Sequence, residues 1–260
     1  YPMFAEQYKK KDETINIGSI IIEHGNKYKV LDVYELYNIT YDASRNPVIQ
    51  SYAIEEKVTN AIVYVTGKVD TVVCVVTGHK EKEIPVVLGR KLENENYVVR
   101  DIKILDAKLN PATDILLFMS PELDLLEEEV NQLNKYFSKG GKAIFMLAFS
   151  MPTLSNFEKM LARYGMEVQK GVAFEADQSL AYPGQPNFLM PYVTKHDIPN
   201  SLIDDKVPVL FPISMSIKES DLKSKDTKVT PLFVTSDQAY LKTNLEAKTF
   251  EKEATDIQGP

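Results

Sequence analysis

Apolar positions along the chain change period near residue 51 and again near residue 72, and those changes divide it into elements. Ile15, Ile17, Ile20-Ile21-Ile22, Tyr28, Val30 and Val33 flank a Glu23-His24-Gly25-Asn26 turn, the pattern of a β-hairpin. Asp42 to Pro47 reads as a polar connection. From Ser51 the period lengthens, and Ile54, Val58, Ala61, Ile62 and Val65 recur on one face of an amphipathic helix. Gly67 and Lys68 then punctuate the chain. Residues 1–66 are therefore expected to form a smaller N-terminal β-hairpin and helix region, and residues 67–260 an α/β core with a proline-rich C-terminal extension.

Within that core, Val72-Val73-Cys74-Val75-Val76 is a continuous β-branched run, as in a strand buried on both faces. A helical stretch follows with Ile84, Val87, Leu88 and Leu92 on one side and Pro85 suited to its first turn. Residues 97–105 and 114–119 read as second and third strands, 143–148 as a fourth and 168–174 as a fifth. Asp124 with Glu127 reads as a capping box, opening a helix with the apolar stripe Leu126, Val130, Leu133 and Phe137. Gly140-Gly141 ends it. A further helix from about residue 154 turns Phe157, Leu161 and Tyr164 inward and stops at Gly165. Such alternation predicts an α/β fold with a doubly wound, mostly parallel sheet, strand order 2-1-3-4-5. Beyond Ala176 prolines punctuate the chain, with strands expected at 207–213 and 229–234.

Composition narrows the function. A formal net charge of -7 over 260 residues gives no electrostatic reason to approach nucleic acid or an anionic membrane. The longest basic run is Lys9-Lys10-Lys11. A single cysteine, Cys74, rules out an internal disulfide and a cysteine-based metal site. The longest apolar run, residues 143–149, is strand-sized, well short of the roughly 18–20 residues that span a bilayer. A start at Tyr1-Pro2 and an end at Gly259-Pro260 read as those of a piece excised from a longer protein.

In an open doubly wound sheet, ligands bind outside the carboxyl ends of the strands where the strand order reverses. That crevice gathers Gly78, His79 and Glu81 from the loop after the first strand, and Ser120, Pro121 and Glu122 from the loop after the third. These are the candidate ligand-binding residues, with Tyr182 from the stiff Tyr182-Pro183-Gly184-Gln185-Pro186 loop. A catalytic reading would pair Ser120 with His79 and Glu81 or Glu122. Against it, Ser120 precedes a proline and lacks a Gly-x-Ser-x-Gly elbow. Cys74 lies inside a strand, where burial keeps a thiol inert. No catalytic residue is assigned. His24, His79 and His196 are too far apart in sequence for a metal motif, and Glu127-Glu128-Glu129 reads as the acidic first turn of a helix. Gly78 alone makes no nucleotide-binding fingerprint, so no metal and no cofactor is expected.

The ordered set Thr77-Gly78-His79-x-Glu81, Asp114-Ile115-Leu116-Leu117, Leu125 with Glu128, Tyr136-Phe137 and Gly140-Gly141-Lys142 resembles the gliding-motility-associated ABC transporter auxiliary family. Tyr164-Gly165, Gly171-Val172, His196-Asp197-Ile198, Thr235-Ser236-Asp237 and Gly259-Pro260 continue the order, and Gly18 to Val30 resembles the family's N-terminal part. The resemblance implies a non-catalytic, extracytoplasmic domain of a membrane protein, with transmembrane helices outside this segment and ABC permease and ATPase subunits as partners. It also implies a core similar to the class I glutamine amidotransferase-like and flavodoxin-like folds, without a nucleophilic cysteine. One departure is Lys80, where the family carries a small residue, often glycine; a long cation there would fill or charge the crevice. Two alternatives stand beside this reading. One is a soluble amidotransferase-like hydrolase using the crevice. The other is a glycan- or peptide-binding module, suggested by 14 tyrosines with no tryptophan.

Overall fold

A computed structural model describes residues 2–9, 14–67, 70–246, 249 and 251–259. Packing groups the chain into two units, one of residues 1–74, 84–100 and 112–115, the other of residues 75–83, 101–111 and 116–260.

The first unit opens with a short helix α1 (Pro2–Glu6) and the predicted hairpin, β1 (Ile20–His24) and β2 (Lys27–Leu31), which turns at Gly25-Asn26. Gly25 has φ 63°, the left-handed conformation such a turn requires. A second hairpin, β3 (Tyr37–Tyr41) and β4 (Pro47–Tyr52), flanks the polar connection expected from Asp42, which is its turn; the two strands themselves were not expected. Its turn is built on Asp42, whose Oδ1 accepts hydrogen bonds from the backbone N–H of Ser44 and of Asn46, both at 2.8 Å. Helix α2 (Ile54–Thr66) packs Ala61 against Leu31 and Leu36, with Ile20, Ile22, Tyr37 and Val58 around them. Ile54 and Ile62 of its apolar stripe remain exposed.

Helix α3 (Val86–Asn94) begins one residue after Pro85, which takes the N-cap position rather than the first turn. None of its residues is buried. Polar bonds hold its end within the unit. Asn96 Nδ2 donates to Asn60 O at 2.8 Å, Asn60 Nδ2 to Glu95 Oε2 at 2.9 Å, and Lys29 Nζ to Asn96 Oδ1 at 3.1 Å.

The central sheet has four strands, β5 (Val72–Val76), β6 (Val98–Ile102), β7 (Asp114–Met119) and β8 (Lys142–Met146), in the order β6-β5-β7-β8. They run parallel: Val98 N donates to Thr71 O at one end of the β5–β6 pair and Thr77 N to Ile102 O at the other. The β-branched run of β5 is buried from Val73 to Val76, and β7 is buried except at Ile115. Phe118 of β7 stacks on Phe145 of β8 at 4.9 Å. Helix α4 (Glu127–Phe137) buries Leu133 and Tyr136, and α5 (Ser155–Arg163) buries Phe157, Met160 and Leu161. Phe157 sets its edge against Phe118 and Phe145, both at 5.8 Å. Burying a side chain of this kind is worth about 1.5–3 kcal/mol.

Asp124 does not cap α4. Leu126 occupies that N-cap position, and Glu129 Oε2 accepts from Leu126 N at 2.8 Å. The Asp124 carboxylate instead accepts the backbone N–H groups of Asn156, at 2.9 Å to Oδ2, and of Phe157, at 3.0 Å to Oδ1. It thereby satisfies orphan donors at the start of α5. Gly141, after α4, has no room for a side chain: a Cβ would lie 2.4 Å from the Tyr136 ring, whose hydroxyl donates to Lys142 O and accepts from Lys142 N.

The expected fifth parallel strand does not form. Gly171, at φ 143°, breaks the run, and a Cβ there would meet Lys242 O at 2.5 Å. The run becomes β9 (Met166–Gln169) and β10 (Val172–Phe174). The remaining strands are short: β11 (Ala181–Tyr182), β12 (Gln185–Leu189), β13 (Tyr192–Val193), β14 (Phe211–Pro212), β15 (Ser216–Glu219), β16 (Phe233–Val234), β17 (Tyr240–Lys242) and β18 (Ile257–Gln258). They form small antiparallel sheets, β9 with β15, β10 with β17 and β18, β11 with β12 and β14, and β13 with β16. The strands expected at 207–213 and 229–234 shrink to β14 and β16. The chain is thus α/β, with a four-stranded parallel sheet and several small antiparallel sheets. Among the described residues no helix is long and apolar enough to cross a membrane.

Candidate functional site

The loops after β5 and β7 meet at the carboxyl ends of their strands, and backbone bonds fasten them. Glu122 N and Leu123 N both donate to His79 O at 2.9 Å, and Lys82 N donates to Met119 O at 2.8 Å. Thr77 Oγ1 donates to Ile102 O at 3.0 Å, fixing the end of β5 to β6. Three residues here adopt positive φ: Gly78 at 118°, Lys80 at 55° and Ser120 at 50°. For Lys80 and Ser120 that conformation is strained.

His79 is 6% exposed and carries the site's electrostatics. Its Nδ1–H donates to Glu81 Oε1 and its Nε2–H to Glu129 Oε2, both at 2.9 Å, while its backbone N–H donates to Glu81 Oε2 at 2.8 Å. Both carboxylates are nearly inaccessible. The hydrogen bond to Glu81 pushes the imidazole pKa up; burial opposes this, Glu129 adds to it, and the result is about 9. At Glu81 burial works to raise the carboxyl, but the bonds from His79 prevail and hold it below the usual range. The trio is a buried imidazolium between two carboxylates, with Glu129 in the first turn of α4, where the helix dipole favours a negative charge.

An imidazolium with both N–H groups engaged has no lone pair with which to accept a proton. Ser120, 6% exposed, donates its N–H to Met146 O at 2.7 Å, and its Oγ accepts from Ala148 N at 3.3 Å. No hydrogen bond joins Ser120 to a base among the described residues. The geometry therefore ties the two loops to α4 and does not assemble a Ser–His couple. Cys74 is fully buried in β5, and that burial pushes its thiol up, although Arg100 pulls the other way.

Of the residues singled out in the sequence, Gly78, His79, Glu81, Ser120 and Glu122 come together, with the Glu122 side chain exposed. Tyr182 lies in β11, in a separate sheet, and no hydrogen bond or ring contact among the described residues links it to the His79 loop. Its proline-bearing loop is a tight turn between β11 and β12, with Gly184 at φ 76°. Glu129 is legible in the sequence only as an acid at a helix start; nothing in its spacing reveals a partner 50 positions earlier. Lys80 is exposed. Among the described residues no group of three or more His, Cys, Asp or Glu is arranged to hold a metal ion. The hollows that stand out, of about 430 and 400 Å³, lie beside Tyr52, Glu55 and Glu56 and along residues 219–225.

Fold and site together define an α/β module that carries a buried ion trio at the carboxyl ends of its parallel strands. The profile of a family described as "ABC-type uncharacterized transport system" matches residues 70–259, most of the chain, and the protein belongs to that family. It is an auxiliary component of an ABC-type transport system. No curated protein matches the chain. A solved structure titled "mmIFT52 N-terminal domain" is similar at 15% identity and a TM-score of 0.48, over 64% of this chain and 78% of that one. A likeness at that level adds nothing to the functional assignment.

Proposed function

We propose that this chain is the non-catalytic, extracytoplasmic domain of the auxiliary subunit, acting in substrate handling or subunit interaction within a transporter that also holds permease and ATPase subunits. The observation that carries the reading is the family match over residues 70–259. The state of the mouth supports it, because both ring nitrogens of His79 are engaged by carboxylates and no hydrogen bond joins Ser120 to a base among the described residues. The four parallel strands in the order β6-β5-β7-β8 are compatible with a reduced class I glutamine amidotransferase-like core that lacks a nucleophile.

Two measurements test this. Lys80 is exposed and Cys74 fully buried, so within this chain Lys80→Cys supplies an accessible thiol, and the unsubstituted protein gives the background. In intact cells expressing the full-length protein, a membrane-impermeant maleimide should label the variant; labelling only after lysis refutes the location. Purification of the full-length protein from its native membrane should bring down the permease and ATPase subunits. Recovery of the protein without them refutes the partnership.

A further inference from the structure

The hairpin β3–β4 is amphipathic, and its apolar face is largely exposed. The register pairs Tyr37 with Tyr52, Asn38 with Ser51, Ile39 with Ile49, Thr40 with Val48 and Tyr41 with Pro47, with a bulge between Asn38 and Ile39. Gln50 is the extra residue. In an unbroken register Gln50 would stand opposite Ile39; the bulge replaces it with Ile49. One face then reads Tyr37, Ile39, Tyr41, Pro47, Ile49 and Tyr52. The other reads Asn38, Thr40, Val48 and Ser51, where Asn38 Nδ2 donates to Ser51 Oγ at 2.8 Å.

A hairpin patterned in this way ordinarily presses its apolar face on a core. Among the core clusters of the described residues, Tyr37 is the one residue of this face that reaches a core. Ile39, Tyr41, Ile49 and Tyr52 are 42%, 69%, 50% and 71% exposed. At the base of the hairpin the 430 Å³ hollow takes Tyr52 from the apolar face and Asn38 from the other, together with Glu55 and Glu56. Neither carboxylate has a hydrogen bond or ion pair among the described residues, and Lys57 does not line the hollow.

We propose that this face is a docking site for a protein surface whose apolar patch is bordered by lysine or arginine. Charge selects the occupant. Among the described residues at the hairpin's turn and base, Asp42, Glu55 and Glu56 outnumber Arg45, so two copies meeting here would oppose like-charged rims. An anionic bilayer would meet the same carboxylates on a chain of net charge -7. A cationic rim on a partner protein is the complement. Resting on the function proposed above, the occupant is a subunit of the same transport assembly.

The experiment places a photo-crosslinking amino acid at Tyr41, at Ile49 or, on the opposite face, at Thr40, in the full-length protein in its native membrane. Co-purification of transporter subunits is read from the same samples. Tyr41 and Ile49 should each crosslink to a transporter subunit at a yield at least about fivefold above Thr40, as buried apolar anchors do at an interface. Combining Glu55→Lys with Glu56→Lys should lower that yield about threefold or more. These positions are exposed, so an unchanged thermal melt confirms folding of each variant. Crosslinks to lipid or to a second copy, or equal yields at Thr40, overturn the docking site. If the subunits still co-purify in that case, the transporter reading survives; if they do not, both fall.

Discussion

Replacing His79 with glutamine leaves two buried carboxylates without their shared cation. In the folded chain the imidazole titrates at about 9, against about 6.5 for a free histidine. At 1.36 kcal/mol per unit, this gap of roughly 2.5 units is worth about 3 kcal/mol. The result agrees with the roughly 3–5 kcal/mol lost when one partner of a buried ion pair is removed. Because the folded-state pKa is raised, the stabilisation is complete below about pH 6.5 and disappears as the pH rises through about 9. Glu81 is shifted downward, so its share, part of the same interaction, is present above the ordinary carboxylate range and fades on acidification. Urea unfolding of wild type and His79→Gln should therefore differ by about 3 kcal/mol at pH 6.5, a midpoint shift of about 1 M. At pH 10, where His79 is neutral in both states, the difference should fall below about 1 kcal/mol. Using the difference between the two proteins cancels other groups that titrate at high pH. A gap of constant size from pH 6.5 to 10, or none at all, would refute the buried imidazolium.

Four further outcomes follow from the geometry. Lys80→Gly should raise stability by about 0.5–1 kcal/mol by relieving a positive φ, while Lys80→Ala should bring no such gain; thermal melts of both separate backbone strain from loss of charge. Asp124→Ala strips the donors at the start of α5 of their acceptor and should cost about 1–2 kcal/mol in chemical unfolding. Gly141→Ala drives a methyl into the Tyr136 ring and should cost about 1–3 kcal/mol, more than Ala at the open Gly89. Cys74 should resist Ellman's reagent in the native protein and react in denaturant; rapid native reaction would contradict its burial.

The strongest patterns in the chain were legible. Val72 to Val76 announced β5 because a strand buried on both faces can carry an unbroken β-branched run. Four strands took the expected order, and the loops carrying His79 and Ser120 met at their carboxyl ends. What escaped notice depended on tertiary context. The run from 168 to 174 looks like one strand, yet Gly171 lets the chain pass against Lys242 and turn into other sheets. Hairpin β3–β4 is hard to read in the sequence because its apolar residues are split by a bulge and a five-residue polar turn, which blurs the alternation of two. Asp124 and Glu129 both sit where a helix start attracts acids, so local spacing gave each a local role. Their actual partners, at 156–157 and 79, are set by the packing of separate elements.

The bond from Asp124 to the start of α5 carries a consequence for how the chain matures. Leu154, at the N-cap of that helix, offers no side-chain acceptor, so its opening turn depends on a carboxylate delivered by the preceding strand–helix unit. A nascent chain that has produced residues 155–163 therefore gains a well-anchored helix only once the segment after β7 is in position. Consecutive units are thereby obliged to mature together, and a break between them should loosen both.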